Sequence, residues 1–315
     1  MKATKLVAFF LLLAFTIQIS FAQGKVSPQR TKDAQIEQKV NVLLAKMTLA
    51  EKLGQLQQLD GDWGTGEAKP EQLELARKGL LGSTLNARGF KGANDLQKAA
   101  MQSRLKIPVL LGFDVIHGYR TMFPISLGES ASWDLEAIER SAHIAAKEAK
   151  ATGLHWTFAP MVDTARDPRW GRIAEGGGED TFLGSKIAYA RVRGFQGDDM
   201  SADDRLMACA KHFIGYGAAE AGRDYNTTDM SEQTFRDVYL PPFKATVDAG
   251  VGSFMTSFNS LNGVPSTANP YLWKTILAGE WKSTALVVTD YTATKELINH
   301  GVAADDAEAA LKTLN

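Results

Sequence analysis

The sequence predicts an α/β protein of the TIM-type (β/α)8 barrel class, on two observations. Short apolar runs alternate with amphipathic helices, and nearly every run ends in a charged or hydrogen-bonding residue. The runs fall at 80–85, 107–115, 155–160, 207–213, 252–258 and 286–290. Strands that are apolar throughout and separated by helices imply a parallel sheet covered on both faces. Two architectures satisfy this, a barrel and a doubly wound open sheet. The polar ends decide between them: Asp114, Asp163, Lys211-His212 and Asp290 each close a run. A barrel gathers the C-terminal ends of all its strands at one mouth, whereas an open sheet spreads them along a line.

In chain order, residues 1–22 read as a secretory signal peptide. Lys2 and Lys5 form its basic start, the stretch 6–19 is apolar, and Ser20-Phe21-Ala22 offers small residues for cleavage. The alternative is an uncleaved membrane anchor, although the apolar run falls short of the ~20 residues of a span. Removal of the signal implies a secreted, periplasmic or surface-attached protein with no membrane association of its own. Residues 23–34 are polar and are expected to form a tail, followed by a barrel domain over 35–315. Ile36, Val40, Leu43, Leu44 and Met47 recur at helical spacing, and Thr48-Leu-Ala-Glu51 has the form of a capping box. The helix expected over 133–150 carries Leu135, Ile138, Ala142, Ala145 and Ala149 on one face and stops near Gly153. With 226–229 counted as a short fifth strand, seven strands precede Asn315, and the barrel is expected to be incomplete at the eighth.

Composition excludes several classes. The 315 residues carry 35 Lys+Arg against 36 Asp+Glu, which disfavours a nucleic-acid partner. A single cysteine, Cys209, excludes a disulfide scaffold and a thiolate metal cluster, and is expected to pack as a small buried hydrophobe. The five histidines lack metal-binding spacing, so no metal or other cofactor is expected. No glycine-framed serine elbow and no phosphate-binding loop occurs.

Asp290 is the sharpest candidate for chemistry. A carboxylate directly after Leu286-Val-Val-Thr289 is held rigidly at a strand end, but it could equally cap the helix that follows. Lys211 and His212 suit hydrogen bonding to vicinal hydroxyls. As neighbours on a strand they face opposite sides unless the strand ends or bulges there. A lysine in a barrel also permits Schiff-base chemistry of the aldolase type. Asp167-Pro-Arg169-Trp170-Gly-Arg172 and Glu175-Gly-Gly-Gly-Glu179-Asp180 form one polar loop. Its arginines offer planar donor forks, and Trp170 is either a sugar platform or packing, with packing preferred.

These motifs together resemble glycoside hydrolase family 3, in particular its periplasmic β-glucosidases. The resemblance rests on Lys46-Met-Thr-Leu-Ala-Glu-Lys-Leu-Gly-Gln55, Gly112-Phe-Asp-Val-Ile-His-Gly118 and Thr121-Met-Phe-Pro-Ile-Ser-Leu-Gly128. It continues through Ala159-Pro-Met-Val-Asp163, Pro168-Arg-Trp-Gly-Arg172, Gly178-Glu-Asp-Thr181, Lys211-His-Phe213, Ser257-Phe-Asn-Ser-Leu-Asn-Gly263 and Val288-Thr-Asp-Tyr291. The match runs from about residue 35 to the end, in the family's order.

The resemblance implies hydrolysis of terminal β-D-glucosyl residues with retention, Asp290 being the nucleophile that forms a covalent glycosyl-enzyme. It implies that Asp114, Arg172, Lys211 and His212 hold sugar hydroxyls, with Arg223 a weaker match because its loop varies in length. Phe258 stands where many members have tyrosine, and Tyr291 replaces the more usual tryptophan or histidine. Both are expected at the substrate. A β-N-acetylglucosaminidase is not implied, since Lys211-His-Phe-Ile-Gly-Tyr-Gly-Ala218 lacks that branch's second histidine and aspartate. The glucosidase branch takes its acid/base from an α/β-sandwich domain after the barrel, so this residue is expected beyond Asn315. Glu175, Glu179 and Glu220 are expected in loop or ion-pair roles. Other β-glycosidase specificities, a β-xylosidase among them, fit the same motifs. A non-catalytic sugar-binding barrel is the competing reading of another class. The expected partners are β-linked glucosides or oligosaccharides.

Overall fold

The computed structural model describes residues 28–314, with side chains from Ala34 onward. The expected signal peptide and the first part of the expected tail lie outside the described residues. The chain divides into two compact units, up to Leu53 and from Gly54. In the first, helix α1 (Pro28–Lys46) begins inside the stretch expected to be a tail, and a second helix, α2 (Leu49–Gln55), starts at Leu49. The capping box holds: Thr48 Oγ1 accepts from the Glu51 amide at 3.2 Å, and Glu51 Oε2 accepts from the Thr48 amide at 2.8 Å.

The second unit is a succession of strand–helix repeats. Strands β1 (Gln58–Asp60), β2 (Ser83–Leu85), β3 (Leu110–Phe113) and β4 (Trp156–Thr157) pair in that order, all parallel. Strands β5 (Cys209–Phe213), β6 (Ser253–Thr256) and β9 (Leu286–Val288) form a second parallel group, and β7 (Ser260–Leu261) and β8 (Val264–Pro265) make a hairpin. Parallel bridges Trp156–Met207 and Met161–Lys211 join β4 to β5. Spatial order therefore follows chain order through β1 to β6 and on to β9, with no reversal and with the β7–β8 hairpin apart. A doubly wound sheet reverses its order at a switch point, so the succession is that of a (β/α)8 barrel.

Two strand assignments differ from expectation. β1 was not foreseen, because Gln58-Leu-Asp60 offers a single apolar residue. Residues 226–229 are not a strand: Thr228 makes one isolated bridge to Leu261, and its hydroxyl is spent on the Gly215 carbonyl at 3.1 Å. Leu286 and Val287 of β9, expected to be buried, are 46% and 40% exposed. Among the described residues β9 pairs on one side only, with β6.

Helices α3 (Pro70–Lys78), α4 (Gly89–Ala100), α6 (Leu135–Lys150), α7 (Thr181–Gln196) and α8 (Leu240–Asp248) cover the sheet, with a short α5 (Ser126–Ser130) before α6 and α9 (Ala293–Asn299) and α10 (Asp306–Leu314) at the end. Small side chains set the α6–α7 contact: Ala142, Ala145, Ala146 and Ala149 are buried on α6. Aspartates cap both helices. Asp134 Oδ1 accepts from the Ala137 amide at 2.9 Å, and Asp180 Oδ1 from the Leu183 amide at 2.7 Å. Leu111, Phe195, Phe213, Phe243 and Phe254 belong to the main core. Cys209 is buried and free, and burial pushes its thiol up to about 12.

Candidate active site

Strand ends place the polar residues. Asp60 ends β1, Asp114 follows β3, Lys211 and His212 lie on β5, and Asp290 stands two residues after β9. With Arg172 and Tyr291, all of them line one cavity of about 860 Å³. Convergence of this kind is what parallel strands in barrel order produce, since every C-terminal end faces the same way.

Lys211 and His212 both reach this cavity because β5 does not run regularly. Its register against β6 shifts between Ala210 and Phe213, so the alternation that would send neighbours to opposite faces is broken. Lys211 Nζ then lies 2.7 Å from Asp114 Oδ1, an ion pair whose lysine side chain is 4% exposed. Taken up by Asp114, this amine is not presented free as a Schiff-base nucleophile would be. The His212 ring points the other way along the wall, with Nδ1 at 2.9 Å from Asp163 Oδ2 and Nε2 at 3.5 Å from Asp290 Oδ2.

Asp290 does not cap the following helix. Its Oδ1 accepts from the adjacent Tyr291 amide at 2.6 Å, and the residue before α9 is Thr292, which makes no side-chain cap. Oδ2 is buried and has no hydrogen-bond partner. An unsatisfied buried carboxylate oxygen is costly unless it serves an incoming group. Burial pushes the Asp290 carboxyl up to about 6, against the pull of the Tyr291 amide, Lys211 and Arg172, while Asp114 adds to the rise.

Arg172 is held by Glu175 through two contacts, Nε to Oε1 at 2.8 Å and Nη2 to Oε2 at 3.0 Å, in the fork geometry that fixes a guanidinium plane. Its guanidinium carbon lies 5.7 Å from the centre of the Tyr216 ring. Trp170 is 1% exposed and donates from Nε1 to Asp224 Oδ1 at 2.9 Å, so it packs and is no sugar platform.

Two expected residues lie elsewhere. Phe258 is 6% exposed and stacks on Tyr225 at 4.3 Å between ring centres, outside the cavity lining. Its phenyl ring has no polar tip to bring towards Asp290. Arg223 is exposed and lines a separate depression with Arg166, Arg169 and Glu220. Glu179 is exposed.

Four residues that the structure brings in were assigned no role from the sequence. Asp60 and Trp63 line the cavity, and Asn86 Nδ2 donates to Asp60 Oδ1 at 2.6 Å. Asp163 was visible as the polar end of its run and as part of a family motif, without a partner. It is buried behind His212, where Oδ2 accepts from both the backbone amide and Nδ1 of that residue, each at 2.9 Å.

Residues 48–313 match the family model described as the glycosyl hydrolase family 3 N terminal domain. The chain is 44% identical over 271 residues to a periplasmic beta-glucosidase of Salmonella typhimurium, covering 86% of this chain and 35% of that protein. It is 30% identical over 325 residues to a beta-xylosidase of Formosa agariphila, covering 99% of this chain and 39% of the relative. Among solved structures, a mutant beta-glucosidase from Listeria innocua in complex with laminaribiose superposes with a TM-score of 0.82 at 40% identity, over 88% of this chain and 40% of that one. The chain thus spans well under half the length of these relatives. Barrel strand order, the polar cluster at the strand ends and the family match over most of the sequence agree: the chain belongs to glycosyl hydrolase family 3.

Proposed function

We propose that this chain carries the nucleophile and the first sugar subsite of a secreted, periplasmic retaining β-glucosidase. The observation that carries the reading is Asp290, which lines a cavity walled by Asp114, Arg172, Lys211 and His212 and whose buried Oδ2 has no hydrogen-bond partner. Asp290 attacks the anomeric carbon of a terminal β-glucosyl unit, the glycosidic bond breaks, and water later releases glucose with retained configuration. Lys211, His212, Arg172 and Asp114 hold the sugar hydroxyls, and Tyr291, 64% exposed, flanks the mouth. The two cations also favour the ionised nucleophile. Retaining hydrolysis needs a second carboxyl group as acid/base ~5–5.5 Å from the nucleophile. We assign it to no residue of this chain. Glu175 is committed to Arg172, Glu220 lines the other depression and Glu179 is exposed.

A 2-deoxy-2-fluoro-β-glucoside with an activated leaving group tests this in the 315-residue chain. Such a leaving group departs without protonation, so the covalent step requires only the nucleophile. A single adduct on the Asp290 peptide, absent in Asp290→Asn, is the expected result. An unlabelled Asp290, with the sugar bound reversibly, would make the chain a binding barrel instead. Borohydride trapping of a carbonyl compound on Lys211 would move the reading to aldolase chemistry. Faster labelling by the β-xylosyl analogue would make it a β-xylosidase, the activity named for the Formosa relative.

A further inference from the structure

We propose that Asp163 is a positioning residue that fixes His212 in the Nδ1–H tautomer, so that Nε2 presents a lone pair to the cavity beside Asp290. The argument is geometric. Asp163 Oδ2 accepts from the His212 backbone amide at 2.9 Å, which commits that oxygen as an acceptor. The same oxygen lies 2.9 Å from His212 Nδ1, so the ring nitrogen there must be the donor. This holds for the ionised carboxylate and for a proton on Oδ1; a proton on Oδ2 is disfavoured, because that oxygen already accepts from the amide and a carboxyl hydroxyl is the poorer acceptor. Both side chains are 1% exposed, leaving no water to offer an alternative partner. In the neutral imidazole one nitrogen carries the proton and the other a lone pair, so Nε2 is an acceptor. Burial, with Arg172 and Lys211 nearby, holds His212 well below the usual imidazole range, which keeps the ring neutral.

The consequence concerns what the cavity accepts. His212 and Asp290 both line the cavity, and His212 Nε2 and Asp290 Oδ2, two acceptors 3.5 Å apart, have no hydrogen between them when Asp290 is ionised. A ligand hydroxyl meeting this corner must act as a donor. His212 therefore selects for a hydroxyl over an ether or fluoro substituent at the position it meets. Which sugar carries that hydroxyl rests on the β-glucosidase reading; the tautomer does not.

The test is long-range ¹H–¹⁵N correlation on the histidine-labelled 315-residue chain at neutral pH, with His212 assigned by its loss in His212→Gln. The expected pattern is a protonated Nδ1 and an unprotonated Nε2. Asp163→Asn should preserve it, since the His212 backbone amide draws the carboxamide oxygen to the Oδ2 position. Asp163→Leu removes the acceptor and should give a mixed or Nε2–H pattern, with the other four histidines unchanged. A protonated Nε2 with bare Nδ1 in the parent chain overturns the proposal even if the leucine variant does not fold. A folded leucine variant with the parent pattern overturns it as well. Neither result bears on whether Asp290 is glycosylated.

Discussion

His212 Nε2 stands 3.5 Å from Asp290 Oδ2, and the aspartate oxygen it faces has no hydrogen-bond partner. The two groups are held apart by different anchors. Asp163 grips the imidazole from behind, while the Tyr291 amide and the Thr256 hydroxyl fix the aspartate, whose own amide donates to Thr256 Oγ1 at 3.2 Å. The carboxylate is thereby kept desolvated and reactive, at a cost to folding.

That cost sets a first expectation, for stability. Burial raises Asp290 from 3.8 to about 6 in the folded chain, whereas the unfolded chain titrates near 4. Between these values the folded state binds more protons, so stability falls as pH rises through the window and stays low above it. Asp290→Asn removes the desolvated charge and can donate from its amide to His212 Nε2. At pH 7 it should gain about 1–3 kcal/mol, and below pH 4 the gain should vanish. Thermal unfolding at both pH values measures this, and an equal effect at both would refute the electrostatic origin.

The same group sets the pH dependence of covalent labelling. Only ionised Asp290 attacks, so the labelling rate should be half its plateau near pH 6 and fall tenfold per unit below it. Lys211→Met removes a cation that lowers the Asp290 value and leaves Asp114 unpaired beside it, and both changes push the carboxyl up. The acid limb should move to higher pH. A limb that stays in place would show that Lys211 acts on the sugar alone.

Much of this site was legible because chemistry and topology coincide. Asp114, Lys211-His212 and Asp290 each follow an apolar run, and parallel strands in chain order bring such ends together without further information. Asp60 and Asp163 were harder to read for opposite reasons. β1 is three residues long with one leucine, below the length at which period or apolarity speaks. Asp163 was seen as a run end, but its partner is 49 residues away, and no local pattern encodes a contact of that range. Phe258 and Arg223 failed differently: each sits in the expected segment, yet Phe258 packs among Tyr216 and Tyr225 and Arg223 lines a separate depression. Sequence spacing locates a backbone and does not choose a rotamer.

A third expectation concerns the loop that carries Asp114. Arg191 on α7, 3% exposed, pairs with Glu129 on α5 and donates from Nη1 to the Ile116 carbonyl at 2.7 Å. Arg191→Met leaves a buried glutamate without its partner and frees that carbonyl. Loss of one member of a buried pair typically costs about 3–5 kcal/mol. Arg191→Met with Glu129→Leu should recover most of the loss, because the unpaired charge is then gone. Urea unfolding of the single and double variants separates the two cases, and a double variant as unstable as the single would locate the cost in the Ile116 contact instead.

Two glycines of one helix should respond in opposite directions to alanine. Both lie on α7, where alanine improves the helix by about 1 kcal/mol over glycine. At Gly194 a Cβ would stand 2.3 Å from the Glu139 carbonyl oxygen and 2.6 Å from Ala142 Cβ, both on α6. Neither neighbour is a flexible chain end: one is helix backbone and the other a methyl fixed to it. The helices must separate, and overpacking of a close contact costs about 1–3 kcal/mol. At Gly184 the nearest atom is Pro242 Cγ at 3.9 Å, an ordinary contact, so the propensity gain survives. Gly184→Ala should raise the unfolding midpoint and Gly194→Ala should lower it. Since both substitutions make the same chemical change on the same helix, the difference between them measures the α6–α7 approach alone. Equal shifts of either sign would mean that the two helices do not meet through Gly194.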